Sequence, residues 1–295
     1  MHTTLISIDQ LTDLQASGAP LMLFDCTFDL MNPSAGQEQY RKAHIPQAVY
    51  ASLDDALSDP GLVDAHGNHR PHPDAASGGR HPLPSREKFA IWLSSVGLTN
   101  AMQVVVYDRN GANYCGRLWW MLKWTGHDAV AVLDGGLQAW QAAGGAVTDQ
   151  EEPAHFQSNF ELHAPLRRLV TTPDVERRLG TPGQVLVDAR GAPRFRGEVE
   201  PLDPVAGHIP GALNRPFSQN IGADGKFKPA AQLKSEFEQL LGGHDPAAVV
   251  HHCGSGVSAV PNVIAMELAG FGPTALYAGS WSEWCSDAKR PVARG

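Results

Sequence analysis

The sequence predicts an α/β protein built from two tandem domains of one fold, each a mostly parallel sheet with helices on both faces. Three observations carry this prediction: the length, an internal repeat, and short apolar runs that alternate with helical patterns. The chain has 295 residues, and a typical domain has about 150. Two domains of ordinary size therefore account for the whole length.

Four short motifs of the first half recur in the second half in the same order. Chance similarity would not keep four landmarks in register, so the chain is a duplication. The offset between the copies shortens once, between the second and third motifs, which means that the first copy carries additional residues. We place this surplus in 54–86, which is dense in Gly, Pro, His and Asp and is expected to form a long ordered loop. The motif pairs are 21–25 with 185–188, 43–46 with 207–211, 104–108 with 249–253, and 132–140 with 276–284.

Within each copy, β-branched runs end at Asp or Cys and are followed by helical patterns. In the first copy a strand is predicted at 104–107 and a helix at 116–124. Continuous apolar strands with helices between them indicate parallel strands that are covered on both sides. The segment 151–165 has no clear periodicity and is interpreted as a linker, so the predicted domains are 1–150 and 166–295.

Composition and charge exclude several classes of protein. Acidic residues outnumber basic ones and give a formal net charge of −8, which repels a phosphate backbone, so we expect no nucleic-acid partner. No apolar run approaches the roughly 18 residues that span a bilayer, and the first residues lack the features of a secretion signal. We therefore expect a cytoplasmic protein with no membrane partner. Its four cysteines are expected to be free thiols in a reducing compartment, and a redox role of one of them, Cys285, is left open.

The strongest candidate for a reactive group is Cys253. It follows the apolar run 249–252 and opens Cys253-Gly-Ser-Gly-Val-Ser258, after which a helical pattern continues. Reactive groups of open parallel sheets gather at the carboxyl ends of strands, and a glycine-bearing loop that leads into a helix points several backbone N–H groups at one concavity. We expect these N–H groups to favour the thiolate and to make it a nucleophile. The alternative is a small buried hydrophobic residue at a strand end.

The first copy offers a comparison at the same position. There Asp108 replaces the cysteine and is followed by Arg109. A copy that keeps the fold but loses the sulfur indicates an inactive first domain, 1–150, beside a catalytic second domain, 166–295.

Several motifs together point to a known family. They are 117–121, 126–127, 133–136 with Trp140, 188–190, 194–197, 207–211, 253–258 and 279–284. In this combination the chain resembles the tandem-domain rhodanese family of sulfurtransferases, with an inactive first domain and a catalytic second one. Its loop is similar to that of the 3-mercaptopyruvate sulfurtransferase type, with Ser258 in place of the usual Thr. Thiosulfate-preferring members place basic residues directly after the cysteine, whereas 254–288 holds no Lys or Arg, so the resemblance implies 3-mercaptopyruvate as the donor and thiosulfate as the alternative.

The resemblance also implies roles for individual residues. Cys253 would take the sulfur as a persulfide, Arg194 would anchor the acidic end of the donor, and the loop serine would donate a hydrogen bond to the enolate oxygen of pyruvate. Members of the 3-mercaptopyruvate type hold the donor carboxylate with two arginines, and Leu202 stands where the second is expected. The loop residues whose backbone would stabilise the anionic sulfur are Gly254, Ser255, Gly256, Val257 and Ser258.

Two further residues are candidates with alternative roles. Arg190 either contacts the substrate or pairs within its own domain. His44 either is the first-domain histidine that lies opposite the loop serine in mercaptopyruvate enzymes or, like His208 in the second copy, supports a turn before Ile-Pro.

No cofactor and no metal are expected. His251 and Cys253 supply only two ligands, too few for a zinc site. The implied partners are a small-molecule sulfur donor and a thiol, cyanide or thioredoxin-like acceptor. A phosphatase with a similar loop would need an arginine at its end to clamp phosphate, and Ala259 stands there. A non-catalytic sulfur carrier or interaction module stays open as an alternative of another class.

Overall fold

A computed structural model describes residues 1–63 and 69–295. Of the predicted loop 54–86, residues 64–68 lie outside the described residues. The strands are β1 (Leu5–Ile6), β2 (Leu21–Asp25), β3 (Ala48–Tyr50), β4 (Leu62–Val63), β5 (His69–Arg70), β6 (Gln103–Tyr107), β7 (Val130–Leu133), β8 (Arg168–Val170), β9 (Val185–Asp188), β10 (Leu213–Asn214), β11 (Val249–His252) and β12 (Ala275–Tyr277). The α-helices are α1 (Ile8–Ala16), α2 (Pro33–Lys42), α3 (Arg86–Ser95), α4 (Cys115–Trp124), α5 (Gly136–Ala142), α6 (Thr172–Arg178), α7 (Ala192–Phe195), α8 (Ala230–Leu241), α9 (Val260–Leu268) and α10 (Ser280–Trp284). Short 3₁₀ helices lie at Phe217–Asn220 and Pro246–Ala248.

The chain forms two compact units, and each includes a segment from the other half of the sequence. The first unit consists of 1–58, 84–166 and 222–227. The second consists of 59–83, 167–221 and 228–295. The predicted linker 151–165 contains no helix or strand, and the predicted domain limits themselves stay a prediction.

Each unit contains a five-stranded parallel sheet, and the two sheets have the same strand order. The order is β1-β7-β6-β2-β3 in the first unit and β8-β12-β11-β9-β10 in the second. Each strand thus has its counterpart at the same place in the other sheet. The structure confirms the predicted α/β class with two units of one fold.

The local sequence explains why the central elements form where they do. Val104, Val105 and Val106 of β6 are completely buried, which is the pattern of a strand that is covered on both faces. Helix α4, predicted at 116–124, begins one residue earlier, and it packs against β6 and β7. In the second unit α9 packs against β11 and β12 in the corresponding way.

The predicted loop 54–86 contains more regular structure than expected. Strands β4 and β5 pair antiparallel, and α3 begins at Arg86 behind an N-cap, because the Ser85 hydroxyl accepts a hydrogen bond from the N–H of Lys88 (3.2 Å). Most of this segment, 59–83, belongs to the second unit.

None of the helices in the described ranges combines the length and the apolar character that a membrane span requires.

Candidate active site

Cys253 lies at the carboxyl end of β11, the central strand of the second sheet. The backbone of Cys253 is fixed on both sides. Its N–H donates to Ser280 Oγ (3.0 Å), and its carbonyl accepts from the N–H of Trp281 (3.0 Å). The residue is 2% exposed. The structure therefore places Cys253 at the strand end where the sequence predicts it, and the residue is almost completely buried.

Ser280 supports the cysteine from the start of α10. Its φ of 56° lies in the left-handed region, which is rare for residues other than glycine. Its hydroxyl donates to the carbonyl of Tyr277 (2.9 Å) while it accepts from the N–H of Cys253. Such strain persists only where the surroundings fix the residue, so the position of Cys253 is held by a rigid neighbour.

The loop after Cys253 turns tightly into α9. Gly256 has a φ of 74°, and a β-carbon there would lie 2.2 Å from the carbonyl oxygen of Ala278. Only glycine fits this place. The N–H of Val260 donates to the carbonyl of Val257 (3.0 Å) and begins the helix. The predicted arrangement of strand, glycine-bearing loop and helix is thus present.

The corresponding loop of the first unit holds a carboxylate. Asp108 Oδ1 accepts from the N–H groups of Asn110 (2.8 Å) and Ala112 (3.1 Å). Asp108 Oδ2 accepts from those of Tyr114 (2.8 Å) and Cys115 (3.0 Å). Four backbone donors therefore converge on one anion at the position that Cys253 occupies in the second unit.

Arg190 pairs within its own unit. Its guanidinium donates to both carboxylate oxygens of Asp188, the shortest contact being Nη2 to Oδ2 at 2.7 Å, and to the carbonyl of Gly207 (2.7 Å). The guanidinium also lies 4.8 Å above the ring of Trp281. Burial would raise the pKa of Asp188, but His252 and Arg190 lower it below its usual value. This placement favours the structural alternative for Arg190.

Arg194 lies beside the cysteine loop. Its Nη1 is 3.6 Å and its Nη2 3.7 Å from the place where a β-carbon on Gly254 would lie. The guanidinium donates to Glu200 through Nη2 (2.7 Å) and Nε (3.2 Å) and to Asp203 through Nη2 (3.2 Å). Leu202, which stands where a second arginine is expected, donates its backbone N–H to Glu200 (3.1 Å). The predicted anion anchor is therefore next to the loop.

A second arginine, which sequence reasoning missed, lies beside the same glycine. Arg80 comes from the surplus segment, and its Nη2 is 3.1 Å from the place of a β-carbon on Gly254. Its Nη1 donates to Asp203 Oδ1 (2.5 Å), and its backbone N–H donates to Ser282 Oγ (3.0 Å). The cysteine loop thus has two guanidinium neighbours although its own sequence carries no charge.

The loop serine pairs with a histidine that sequence reasoning also missed. His81 Nδ1 lies 2.7 Å from Ser255 Oγ. Both residues are 6% exposed, so the contact is shielded from water. A buried imidazole and a hydroxyl at this distance can pass a proton between them.

His44, the histidine considered for this place, lies in the first unit in a different setting. Its Nδ1 is 2.8 Å from the carbonyl of Tyr40 and its ring stacks on that of Tyr40. His208 repeats both contacts with Phe195, at 2.8 Å and with stacked rings. The matching pair supports the turn role for both histidines, and the imidazole that contacts Ser255 is that of His81.

The two histidines of β11 are completely buried. Burial lowers the pKa of His251 to about 3, and the ring nitrogens of His251 have no hydrogen-bond partner among the described residues. Over the described residues, no three side chains of the metal-ligating types come together. Burial also raises the pKa of Cys285 to about 11, which disfavours a thiolate at that second cysteine of the unit.

One sequence signal could have found Arg80 and His81. They are adjacent in the run 78–81, Gly-Gly-Arg-His, inside the surplus of the first copy. A segment without a counterpart in the second copy has no internal packing role to repeat, so its charged and titratable residues are candidates for function.

Comparisons with known proteins show which proteins this chain is similar to. The rhodanese-like domain matches the chain twice, at residues 7–143 and 171–287. The chain is 45% identical over 279 residues to a probable 3-mercaptopyruvate sulfurtransferase of Pseudomonas aeruginosa, which covers 93% of each chain. It is 39% identical over 298 residues to SseB, a putative thiosulfate sulfurtransferase of Mycobacterium tuberculosis, over 99% of this chain and 97% of that one. The solved 3-mercaptopyruvate sulfurtransferase from Leishmania major aligns with a TM-score of 0.79 and 28% identity, over 98% of this chain and 76% of that chain.

Proposed function

Because this chain belongs to the rhodanese family, we propose that it is a sulfurtransferase that moves sulfur from 3-mercaptopyruvate through a persulfide on Cys253. The observation that carries the proposal is the position of Cys253 at a strand end, in a loop whose Gly254 lies beside two guanidinium groups and whose Ser255 contacts His81. The relatives named above as sulfurtransferases support the reaction class.

The first half-reaction is a nucleophilic displacement at sulfur. The Cys253 thiolate attacks the thiol sulfur of the donor, and an S–S bond forms as the C–S bond of the donor breaks. The electron pair of the broken bond passes to the departing carbon and gives the enolate of pyruvate. That enolate takes up one proton and leaves as pyruvate, so the step needs no oxidant.

Ser255 and His81 are suited to the developing enolate. The Ser255 hydroxyl donates a hydrogen bond to the enolate oxygen, and the 2.7 Å contact with His81 supplies a route for the proton. A hydroxyl backed by an imidazole stabilises charge that exists only as the reaction proceeds, which is the condition for lowering the barrier.

The loop backbone is assigned the task of holding the anionic sulfur. Gly254, Ser255, Gly256, Val257 and Ser258 lie between Cys253 and α9. The first unit supports this assignment, because its equivalent loop donates four N–H groups to the carboxylate of Asp108. Each hydrogen bond to a charged acceptor contributes about 1.5–3 kcal/mol, so backbone N–H groups directed at the sulfur would stabilise the negative charge that it carries during the transfer.

In the second half-reaction an acceptor removes the outer sulfur and restores the thiolate. We assign this role to a small thiol, cyanide or a thioredoxin-like protein thiol. With a thiol acceptor the acceptor attacks the outer sulfur of the persulfide, the enzyme S–S bond breaks, and its electron pair returns to Cys253. A cytoplasmic location, which supplies reduced thiols, is part of the same proposal.

Thiosulfate is the second candidate donor, and a specific observation favours keeping it. The absence of Lys and Arg from 254–288 argued against a dianionic donor. Arg80 and Arg194, however, bring two positive charges to Gly254 from outside that segment. The same persulfide on Cys253 would form from either donor.

Steady-state turnover with cyanide as acceptor tests the proposal. Wild-type protein is expected to release pyruvate from 3-mercaptopyruvate, with a higher kcat/KM than it shows for thiosulfate. Cys253→Ser is expected to lose about a thousandfold or more of this activity because it removes the nucleophile. Cys285→Ser is the matched control, since Cys285 is a buried cysteine of the same unit, and it is expected to keep the activity.

Each possible result of that experiment has a definite meaning. Pyruvate release by Cys253→Ser would overturn the assignment of the nucleophile. A clear preference for thiosulfate would overturn the choice of donor but keep the persulfide relay. A wild-type protein that turns over neither donor would leave the non-catalytic carrier as the correct alternative.

A further inference from the structure

The first turn of α10 holds the backbone of the cysteine loop in place. The N–H of Trp281 donates to the carbonyl of Cys253 (3.0 Å), and the N–H of Ser282 donates to the carbonyl of Gly254 (2.9 Å). Trp281 is completely buried, so this turn cannot shift without moving a large aromatic side chain in a close-packed interior. The start of α10 is therefore a fixed reference for the nucleophile.

The same turn also binds the surplus segment. The Ser282 hydroxyl accepts a hydrogen bond from the backbone N–H of Arg80 (3.0 Å), and it donates to the carbonyl of Gly279 (3.3 Å). Arg80 and Ser282 are 202 residues apart in the sequence, yet both belong to the second unit. Ser282 thus contacts the cysteine loop through its backbone and the surplus segment through its side chain.

A glycine allows this close approach. Gly79 has a φ of 87°, and a β-carbon there would lie 2.6 Å from the carbonyl oxygen of Gly279 and 2.7 Å from Ser282 Oγ. Both distances are shorter than a β-carbon tolerates, and the positive φ also favours glycine. The backbone of the surplus segment therefore lies directly on the start of α10, and the hydrogen bond to Ser282 fixes where it lies.

The first unit makes the corresponding loop contact in a different way. By the repeat, Gln138 of α5 corresponds to Ser282. The Gln138 side chain donates to the carbonyl of Arg109 (2.9 Å), the residue that corresponds to Gly254. In the second unit the backbone N–H of Ser282 donates to that carbonyl instead. The Ser282 hydroxyl is thereby available to the surplus segment, which has no counterpart in the repeat.

His81 directly follows the residue that Ser282 holds. Its Nδ1 lies 2.7 Å from Ser255 Oγ, and both residues are 6% exposed. A hydrogen bond weakens steeply when its two groups move apart or out of line, so the position of the His81 backbone decides whether this pair forms. The hydrogen bond from the N–H of Arg80 to Ser282 fixes the backbone one residue before the imidazole.

We propose that Ser282 is a positioning residue for the sulfur transfer, because its hydroxyl holds the surplus segment where His81 meets Ser255. This inference rests on the proposed function, in which that pair passes a proton to the enolate. Ser282 acts in this role through His81 and not on the donor. The start of α10 then sets the positions of both reacting groups, the nucleophile Cys253 and the imidazole that follows Arg80.

Turnover of Ser282→Ala tests the positioning role. The substitution removes the acceptor of the Arg80 N–H but keeps the backbone N–H that binds Gly254, so the cysteine loop retains its contact. The kcat for pyruvate release is expected to fall about tenfold, as for the loss of one hydrogen bond. KM is expected to change less, because the Arg80 guanidinium stays paired with Asp203. Ser282→Thr keeps the hydroxyl and is expected to keep most of the wild-type kcat.

A double substitution separates positioning from general damage. Because Ser282 acts through His81, Ser282→Ala is expected to cause no further loss of kcat once His81→Gln has removed the imidazole. Ser286→Ala is the matched control, since Ser286 is an exposed serine of the same unit whose hydroxyl donates to the carbonyl of Glu283 (2.8 Å), and it is expected to keep the wild-type kcat. An unchanged kcat in Ser282→Ala, or the same relative loss with and without the imidazole, would overturn the role of Ser282.

Hydrogen exchange separates this inference from the proposed function. Exchange of the Arg80 amide is expected to be about tenfold faster in Ser282→Ala than in the wild type, because this N–H has lost its acceptor. The measurement needs no sulfur donor. If wild-type protein releases no pyruvate, the proposed function fails whatever the exchange rate. If it releases pyruvate and the exchange of the Arg80 amide is unchanged in Ser282→Ala, the inference about Ser282 fails alone.

Discussion

The loops that follow β6 and β11 occupy the same place in two sheets of identical order, but they treat charge in opposite ways. In the first unit the loop encloses its own anion, because four N–H groups bind the carboxylate of Asp108. In the second unit the same place holds the sulfur of Cys253, and the cations lie around the loop. A loop whose N–H groups already bind its own carboxylate does not offer them to another anion. A loop that carries a thiol can direct its N–H groups at negative charge that develops on the sulfur during a reaction.

The two units also differ in the arginine that pairs with the aspartate at the end of the neighbouring strand. Arg109 directly follows Asp108 and pairs with Asp25 on the neighbouring strand (3.0 Å). In the second unit the equivalent aspartate, Asp188, is paired by Arg190 from its own strand end (2.7 Å). The position after Cys253 therefore does not have to supply the arginine that pairs with this aspartate. Glycine occupies it, and Arg80 and Arg194 lie beside Gly254.

Placing the aspartate of the first loop at position 253 of the second loop tests this contrast, and this substitution has the largest expected effect. Cys253→Asp is expected to lower the rate of sulfur transfer about a thousandfold or more, because no nucleophile remains. Its melting temperature is expected to exceed that of Cys253→Ser, since a carboxylate can accept the loop N–H groups. Thermal unfolding of both variants checks this, and a lower melting temperature for Cys253→Asp would mean that the second loop does not bind an anion.

The next difference concerns His81, which contacts Ser255 of the second loop. His81 lies in the surplus segment, so the repeat contains no counterpart of it. His81→Gln is expected to lower kcat about a hundredfold, the usual loss of one proton-transfer group. His44→Gln is the control, because His44 contacts Tyr40 in the first unit, and its kcat is expected to stay near that of the wild type. Steady-state kinetics of both variants decide the matter, and the reverse order of effects would contradict the placement of His81.

Asp108 is expected to stabilise the first unit, because its carboxylate accepts hydrogen bonds from four backbone N–H groups. Asp108→Ala leaves four N–H groups without their acceptor and is expected to lower the free energy of unfolding by about 2–4 kcal/mol. Urea denaturation measures this loss, with Asp13→Ala on the exposed face of α1 as the control. A loss no larger than that of the control would show that the carboxylate is not what holds the loop.

The smallest expected effect concerns the strands before the two loops. His251 of β11 stands where β6 has Val106, and both residues are completely buried. Because burial lowers the pKa of His251 to about 3, below the ordinary value of 6.5, the folded protein keeps it neutral while the unfolded chain binds a proton. The contribution of His251 to the free energy of unfolding is thus constant above pH 6.5, and it falls by about 1.4 kcal/mol per pH unit as the pH decreases from 6.5 to about 3.

His251→Val copies the first unit and is expected to remove this term. Urea denaturation at pH 7 and at pH 5 should show about 2 kcal/mol less acid destabilisation in the variant than in the wild type. Equal pH dependence in the two proteins would contradict the neutral, buried state of His251.

The fold class could be predicted because its signals are local in the sequence and occur twice, and the position of Cys253 could be predicted because it directly follows one of the repeated apolar runs. The repeated motifs predict two units of one fold, and the apolar run before Cys253 with the glycines after it predicts a strand that leads into a loop. Of the two roles considered for His44, the turn role was already indicated by the sequence, because both His44 and His208 precede Ile-Pro.

Arg80 and His81 were not predictable by the same means. They lie in the surplus segment, which has no repeat counterpart and little periodicity, and only long-range packing assigns 59–83 to the second unit. The resemblance leads one to expect an arginine where Leu202 stands, but a sequence pattern cannot show that Arg80 lies beside Gly254. Local sequence patterns therefore predicted the position of Cys253 but not that Arg80 and His81 lie beside its loop.

Sulfur transfer through Cys253 is the central step of the proposed reaction, and mapping the bound sulfur tests it directly. After incubation with 3-mercaptopyruvate alone and digestion, the peptide that contains Cys253 is expected to gain about 32 Da, the mass of one sulfur atom, and to lose it on addition of cyanide. The peptides of Cys26, Cys115 and Cys285 are expected to keep their mass. An adduct on one of those cysteines, or none on Cys253, would contradict the account.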